Sequence, residues 1–195
     1  MKIGFVGLGN VGSKLAGSLL RNGYEVIVRD LNSEFMSDFV SRGAVAADSP
    51  KQLAQLSDLI ITCLPSPSAC SAVMEGSDTE AGIIDGLSAG KIWLEMSTTD
   101  ESEMRRLGAL VQAAGADPVD CPVSGGCHRA DTGNISIFAG CSRAVFERAL
   151  PVLTTLGRRV LHTGELGTAS KLKVVTNYLA TAHLVALGEA LTACK

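Results

Sequence analysis

Lys173 and Asn177 are the residues of this chain best placed to move a proton. They lie four residues apart in a segment with helical periodicity, so both fall on one face of the predicted helix. That face continues through Ala180, Thr181 and Leu184, which are small or apolar. Because such surroundings partly desolvate a lysine, we expect a lowered pKa for Lys173 and proton exchange with a carbonyl or hydroxyl oxygen. The alternative is a lysine whose ammonium group stays in water.

A second candidate is the stretch Ser124-Gly125-Gly126, which comes shortly after a predicted strand at residues 118–121. Backbone N–H groups and a hydroxyl at the end of a strand suit an anionic group such as a carboxylate. From this stretch alone, an ordinary glycine turn is the better interpretation. Its assignment to a binding loop therefore depends on the other motifs.

The stretch Gly7-Leu8-Gly9-Asn10-Val11-Gly12 predicts a phosphate-binding turn. It follows an apolar run at residues 2–6 that is typical of a strand and precedes residues 13–20, which are typical of a helix. In this context the first glycine permits the turn, the second admits a pyrophosphate, and the third allows close packing of helix and strand. Free N–H groups at the start of the helix then face the phosphate oxygens. We therefore expect a dinucleotide at this turn.

Asp30 indicates which dinucleotide binds. It ends the alternating strand at residues 24–29 and lies 18 positions after Gly12. An acidic side chain there accepts hydrogen bonds from the adenosine ribose and repels a 2′-phosphate, which favours NAD over NADP. Two alternatives stay open, since Asp30 could instead open the next helix and Arg29 could offset the repulsion. The next residue and the ends of two later strands supply further candidate cofactor contacts, namely Leu31, Leu64, Pro65, Ser97 and Thr98.

The composition limits the classes of function. The chain has 195 residues, of which 46% are apolar, and a net charge of −3, which argues against nucleic-acid binding. We expect no apolar run long enough to cross a membrane, and a strand that starts near residue 2 predicts that no signal peptide precedes it. The six cysteines form no C-x-x-C pair and the three histidines are scattered. We therefore expect no metal site and reduced thiols, as in the cytoplasm, or in the mitochondrial matrix if a transit peptide has been removed.

Helical and strand patterns alternate along most of the chain, which predicts an α/β fold with a doubly wound, mostly parallel sheet of the Rossmann type. We assign residues 1–166 to this dinucleotide-binding domain. The further predicted helices are residues 31–41, 49–56, 68–74 and 100–114, and the further strands are residues 44–46, 58–64, 91–96, 118–121, 134–139 and 158–162.

The final segment, residues 167–195, differs from the rest of the chain. Residues 168–195 lack proline, and their apolar residues recur at steps of three and four, which predicts a helix of about 28 residues and roughly 42 Å. Such a helix exceeds the depth of one layer, and no glycine or proline stop signal ends it. We interpret it as a long interdomain linker helix within which, or just after which, the chain has been cut. The alternative is a frayed helix at a natural end.

Five motifs follow one another in a familiar order. They are Gly7 to Gly12, Leu64-Pro65, Ser97-Thr98, Asp120 to Gly126 followed by Gly133-Asn134, and Gly167 to Asn177. This ordered set resembles the β-hydroxyacid dehydrogenase family over the whole chain. The resemblance implies hydride transfer between a nicotinamide cofactor and a small 3-hydroxy acid or its semialdehyde, as in 3-hydroxyisobutyrate dehydrogenases.

The resemblance also implies roles for individual residues. Lys173 matches the proton-transferring lysine, Asn177 matches the asparagine that orients substrate and lysine, and Ser124, Gly125 and Gly126 match the loop that binds the substrate carboxylate. The implied cofactor contacts are Gly7, Leu8, Gly9, Asn10, Val11, Gly12, Asp30, Leu31, Leu64, Pro65 and Thr98.

The chain departs from the family in sequence and in length. Val11 and Thr176 stand where many members have methionine and asparagine, and Glu95 stands where aspartate is usual. Arg129 replaces a glycine just after the Ser-Gly-Gly loop, which puts the identity of the substrate in doubt. The family has a further all-helical C-terminal domain, which closes the site and makes most of the subunit contacts, so the resemblance implies a homodimer or homotetramer for the full-length protein.

Three other functions stay open or are disfavoured. A 6-phosphogluconate dehydrogenase usually has histidine three positions before the lysine, where this chain has Ser170. An imine reductase usually lacks the lysine, so Lys173 argues against that activity. A non-catalytic NAD-binding regulatory module is the remaining alternative, and the retained Lys173 argues against it too.

Overall fold

The computed structural model describes residues 1–194, in which a nine-stranded sheet is flanked by helices on both faces. The strands are β1 (Lys2–Val6), β2 (Glu25–Arg29), β3 (Val45–Ala46), β4 (Leu59–Thr62), β5 (Ile92–Glu95), β6 (Asp117–Asp120), β7 (Val123–Ser124), β8 (Ile135–Gly140) and β9 (Gly157–Gly164). The α-helices are α1 (Gly12–Arg21), α2 (Ser33–Ser41), α3 (Pro50–Leu56), α4 (Pro67–Glu75), α5 (Glu101–Ala113), α6 (Gly126–Asp131), α7 (Arg143–Leu156) and α8 (Thr168–Ala193).

The sheet confirms the doubly wound, mostly parallel prediction. Strands pair in parallel in the order β3-β2-β1-β4-β5-β6, and the chain passes to opposite sides of β1 to reach β2 and β4. Such a switch point leaves a crevice beyond the carboxyl ends of β1 and β4, where ligands of this fold class bind. The remaining edge is reversed, because β8 runs antiparallel to β6 and β7 and parallel to β9.

The core forms on both faces of the sheet, as β4 illustrates. All four of its side chains are fully buried, and they alternate between the two faces. Leu59 and Ile61 pack into the hydrophobic cluster with α1 and α7, while Ile60 packs into the cluster with α3 and α5. A strand covered on both faces needs an unbroken apolar run rather than alternation, which explains its sequence.

Helices α3 and α5 begin within one residue of their predicted starts, each after a capping side chain. Ser49 accepts a hydrogen bond from the Gln52 backbone N–H at the start of α3, and Asp100 accepts one from Glu103 at the start of α5. The predicted start of α2 at residue 31 is wrong by two residues, because Asn32 rather than Asp30 is the N-cap of that helix. An Asn side chain in this position satisfies free N–H groups of the first turn.

Two helices, α6 and α7, were not predicted from the sequence. The longer one, α7, contains Pro151, which removes a backbone donor and obscured the pattern. Ser142 caps this helix, and its apolar residues at steps of three and four are buried against the sheet. Tertiary packing therefore holds a helix that local signals alone do not favour.

Helix α8 begins at the predicted position and has 26 residues, and residue 195, its predicted end, lies outside the described residues. Only Ala169 and Ser170 of this helix are buried, and all its residues from Asn177 onward are exposed. By length and composition α8 could span a membrane, since its most apolar stretch has a mean hydropathy of 1.2. No residue of that stretch is buried. The expectation that no apolar run is long enough to cross a membrane is therefore wrong. Charged residues fall only near the ends of α8, so its middle is uninterrupted by charge.

The six cysteines, all within residues 1–194, are free thiols. Cys70, Cys121 and Cys141 are buried, and burial raises the pKa of each. Among the described residues, no group of three or more His, Cys, Asp or Glu side chains could hold a metal ion.

Candidate cofactor and active site

A cavity of about 950 Å³ lies beyond the carboxyl ends of β1, β4 and β5. It brings together predicted residues that are far apart in the sequence, from the glycine turn to α8. The predicted residues that line it are Gly7, Gly9, Asn10, Val11, Gly12, Asp30, Leu31, Leu64, Pro65, Ser97, Thr98, Gly125, Gly126 and Lys173. Three others do not line it, since Leu8 is buried in the core, Ser124 pairs with β8, and Asn177 is exposed on α8.

The three glycines of the turn have three different surroundings. Gly7 has a φ of +96°, and a side chain there would collide with the carbonyl oxygen of Cys63. A side chain on Gly12 would collide with the carbonyl oxygen of Gly7, so this glycine permits helix and strand to pack. Gly9 faces open space, with no neighbouring atom within 4 Å of the position that a Cβ would occupy. The turn therefore has the free space beside Gly9 that a pyrophosphate requires.

The N-terminus of α1 faces the same space. Its first turn has no side-chain cap and no acidic residue. Unpaired N–H groups and the helix dipole favour an anion at such an end. Together with the open face of Gly9, this end fits the pyrophosphate of a dinucleotide.

Asp30 is held against the glycine turn by backbone hydrogen bonds. Its Oδ2 accepts from the Leu8 N–H at 2.6 Å, and its Oδ1 accepts from the Asn32 N–H at 2.8 Å. The carboxylate is therefore fixed at the end of β2, where it lines the cavity. It does not cap α2, which leaves the cofactor interpretation of Asp30 as the stronger one.

Arg29 has an acidic partner that the sequence analysis did not identify. Its Nη2 lies 3.2 Å from Glu80 Oε1, and its Nη1 donates to the Asp30 carbonyl oxygen at 2.8 Å. Both Arg29 and Glu80 line the cavity. Because Glu80 lies in a loop after α4 that carries no recognisable motif, only the fold brings it to this position.

A buried carboxyl group, Glu95, connects the ends of β4 and β5. It accepts hydrogen bonds from Thr62 Oγ1 at 2.6 Å, from the Cys70 thiol, and from the Ser97 N–H at 2.7 Å. Ser97 Oγ in turn accepts from the Leu64 N–H at 2.8 Å. Burial raises the pKa of Glu95. This network fixes the two strand ends from which Leu64 and Thr98 line the cavity.

Lys173 lines the same cavity as the glycine turn. It is half-buried, and burial lowers the pKa of its ammonium group, as predicted, although the helix face through Ala180, Thr181 and Leu184 that prompted the prediction is exposed. Lys171 is exposed and pairs with Glu101 at 2.8 Å. The two neighbouring lysines are thus distinguished by their surroundings, and Lys173 is the one that borders the cavity.

The two glycines of the Ser-Gly-Gly loop line the same cavity as Lys173. Gly125 and Gly126 have φ values of +133° and +80°, and α6 starts directly after Gly125. The side chain of Arg129 packs over Gly125, with Cδ 2.9 Å from where a Cβ would lie. Within residues 1–194 the Arg129 guanidinium makes no hydrogen bond or ion pair, so a cation without a partner stands at the edge of this loop.

Comparison with known proteins identifies the fold family. Residues 2–164 match the family model described as the NAD binding domain of 6-phosphogluconate dehydrogenase. The chain belongs to this family. The match covers the strands, the glycine turn and the Ser-Gly-Gly loop of this NAD-binding domain, and ends just before α8.

Relatives confirm the resemblance to the β-hydroxyacid dehydrogenases. The NAD-binding chain is 36% identical to 2-(hydroxymethyl)glutarate dehydrogenase from Eubacterium barkeri, over 98% of this chain and 62% of that protein. It superposes with a TM-score of 0.89 on a crystal structure of 3-hydroxyisobutyrate dehydrogenase from Salmonella typhimurium, at 28% identity, covering 97% of this chain and 66% of that one. Among curated relatives, the chain spans 64% of the length of 3-sulfolactaldehyde reductase from Escherichia coli and 55% of that of human 3-hydroxyisobutyrate dehydrogenase.

The comparisons leave open which dinucleotide binds. A structure of Psf3 in complex with NADP+ and 2-OPP matches this NAD-binding domain with a TM-score of 0.85 at 28% identity, covering 90% of this chain and 61% of that one. The family therefore establishes a nicotinamide dinucleotide fold, and the choice between NAD and NADP depends on residues of this chain.

Proposed function

We propose that the whole protein is an oxidoreductase that transfers a hydride between NAD and a small 3-hydroxy acid or its semialdehyde. One observation carries this proposal. The half-buried Lys173 borders the same cavity as the glycine turn and the Ser-Gly-Gly loop. A proton-transferring group, a dinucleotide cradle and an anion-binding loop thus face one space of suitable size for cofactor and substrate.

The proposed mechanism assigns each group one task. Gly9 and the N-terminus of α1 hold the pyrophosphate, and Asp30 binds the adenosine ribose. When bound, the nicotinamide ring supplies the acceptor or donor of the hydride. In the oxidation direction, neutral Lys173 takes the proton from the alcohol oxygen. In the reduction direction, the Lys173 ammonium donates a proton to the carbonyl oxygen.

The proposed substrate contacts are those that the resemblance to the family implies. The backbone N–H groups of Gly125 and Gly126, with the Ser124 hydroxyl, bind the substrate carboxylate. Asn177, one helical turn after Lys173, orients the substrate and the lysine. We propose a small anionic hydroxy acid as the substrate, with no nucleic acid as partner, in keeping with the net charge of −3.

We propose NAD rather than NADP as the cofactor. Asp30 is fixed at the end of β2, and the guanidinium of the adjacent Arg29, which could otherwise bind a 2′-phosphate, is paired with Glu80. Both carboxylates oppose a further negative charge at this position. We also propose a reducing compartment, the cytoplasm or the mitochondrial matrix, and a homodimer or homotetramer in which the exposed α8 packs against protein rather than lipid.

The decisive test is Lys173→Ala in the full-length protein. We expect turnover of 3-hydroxy acids to fall by about 10²–10⁴-fold, because a positioned proton-transfer group contributes about that much. NAD affinity, measured by calorimetry, should stay nearly unchanged. Lys171→Ala is the matched control, since this lysine is exposed and lies away from the cavity. Unchanged turnover in Lys173→Ala would refute the assignment.

The pH dependence of turnover provides a second test of the same residue. Burial lowers the pKa of Lys173 below its ordinary value of 10.5. Oxidation needs the neutral amine, so its rate should rise with pH. The rise should level off at a lower pH than the range in which an exposed lysine loses its proton. Reduction needs the ammonium, so its rate should fall over the same pH interval. Profiles that lack these opposite limbs would contradict the role of Lys173.

The second candidate function is that of a 6-phosphogluconate dehydrogenase, which the description of the matching family model favours. The structure weakens this alternative at Ser170. Its hydroxyl donates to Asp120 and is buried, so it is not available to a substrate. Assaying the intact protein on 6-phosphogluconate and on a panel of 3-hydroxy acids separates the two functions, and inactivity on both would favour a non-catalytic NAD-binding module.

A further inference from the structure

The N-terminus of α8 is capped by a residue from a distant strand. Its own N-cap, Gly167, has a φ of +93° and no side chain, and its first turn contains no acidic residue. Instead, Asp120 at the end of β6 reaches it from 50 residues away. Asp120 Oδ2 accepts from the Ser170 N–H at 2.8 Å, and Oδ1 accepts from the Ser170 hydroxyl at 2.7 Å.

The hydrogen bonds between Asp120 and Ser170 are buried, unlike the ion pair that Lys171, in the same first turn of α8, makes with Glu101. Asp120 and Ser170 are almost completely inaccessible to solvent, whereas the ion pair of Lys171 with Glu101 is open to solvent, with side chains 61% and 29% exposed. Exposed pairs contribute little to stability or position. A carboxylate that accepts two hydrogen bonds at a helix N-terminus is held in a defined geometry, and it also complements the helix dipole.

The position of Asp120 connects two parts of the cavity wall. Four residues after it, the chain reaches Ser124 and the loop that includes Gly125 and Gly126. Three residues after Ser170, one helical turn along α8, comes Lys173. One buried side chain thus fixes the distance between the strand that leads to the anion loop and the helix that carries the lysine.

We infer that Asp120 is a positioning residue for Lys173, which it holds at the cavity wall by capping α8 through Ser170. The inference rests on the proposed function for its catalytic consequence, but the placement of Lys173 is a structural property that can be measured without turnover. Removing the cap lets the first turn of α8 shift away from β6, and a displacement of about 1 Å costs about 100-fold in rate.

The test compares Asp120→Asn and Ser170→Ala with wild type in the full-length protein. Asparagine keeps the size of the side chain but offers one acceptor oxygen where two donors need partners. We therefore expect kcat to fall by about 100-fold, with little change in the KM for NAD. Ser170→Ala removes one of the two hydrogen bonds and should give a smaller loss in the same direction. Lys171→Gln, which breaks only the solvent-accessible ion pair with Glu101, is the matched control and should leave kcat unchanged.

A measurement that does not require activity distinguishes positioning from general destabilisation. The pH dependence of acetylation of Lys173 and Lys171, read by peptide mass spectrometry, reports the surroundings of each amine. In wild type, Lys173 should become reactive at lower pH than Lys171. In Asp120→Asn the Lys173 profile should move to that of Lys171, because the amine gains access to water.

Each outcome decides the inference. A folded Asp120→Asn protein with an unchanged Lys173 profile and unchanged kcat overturns it. If circular dichroism shows that Asp120→Asn does not fold, Ser170→Ala decides in the same way. A shifted profile in a protein that turns over none of the hydroxy acids supports the positioning role and refutes the proposed function, so the two failures are distinguishable.

Discussion

At the scale of single residues, the glycine turn shows how far a motif can be interpreted. The order of the motif predicted three roles, and the surroundings of Gly7, Gly9 and Gly12 match them one by one. The carboxylate of Asp30 was also predicted, but its two backbone hydrogen bonds and the pairing of Arg29 with Glu80 were not. A sequence motif records which residue types are needed, whereas partners from motif-free loops depend on the tertiary structure.

Two alanine substitutions should separate cofactor binding from folding. Gly9→Ala places a methyl group in open space, so stability should be unchanged while NAD affinity falls at least about tenfold through contact with the pyrophosphate. Gly12→Ala forces a methyl group against the Gly7 carbonyl oxygen and should lower the free energy of unfolding by about 1–3 kcal/mol. Urea unfolding and NAD titration measure the two effects. Equal losses of stability in both variants would contradict the distinction.

Cofactor choice should depend on Glu80 as well as Asp30. Glu80→Gln removes the charge that occupies Arg29, which frees the guanidinium to bind a 2′-phosphate. We expect the preference for NAD over NADP to fall by about tenfold, equivalent to about 1.4 kcal/mol, measured as the ratio of kcat/KM values or of binding constants. Glu75→Gln is the control, because Glu75 pairs with Arg106 outside the cavity. An unchanged ratio would exclude Glu80 from cofactor selection.

At the scale of elements, local sequence signals located the starts of some helices accurately but missed other helices entirely. The starts of α3 and α5 were located to within one residue, because their caps Ser49 and Asp100 make local hydrogen bonds. Helix α7 was missed because Pro151 conceals a helix that tertiary packing sustains. The start of α8 was located by its periodicity, although its actual cap, Asp120, lies 50 residues upstream and leaves no local signal.

The two ends of α8 should differ in stability. Its first turn is buried and capped by Asp120, whereas its residues from Asn177 onward are exposed. A helical segment without tertiary contacts is marginally stable in water at this length. In the 195-residue chain at low concentration, we expect amide hydrogens near Lys173 to be protected from exchange and those of residues 180–190 to exchange almost freely. Strong protection of both segments would contradict this expectation.

At the scale of the whole molecule, the alternation of helices and strands predicted the fold class and the edge of the sheet at which the cavity lies. It did not predict the reversed strands β7 and β8, because strand direction leaves no mark on an apolar pattern. The predicted site residues converge largely on one cavity, since the carboxyl ends of parallel strands share an edge. Asn177 and Ser124 stand outside its lining, and their roles remain predictions.

The outer strands of the sheet also affect how the protein behaves in crowded solution. One edge is β3, which is only two residues long, and the other is β9, which carries the exposed Arg158 and Arg159. Short edge strands and charged edge strands both discourage another chain from adding to a sheet. Both edges of the sheet are therefore poor templates for cross-chain strand pairing and fibril growth.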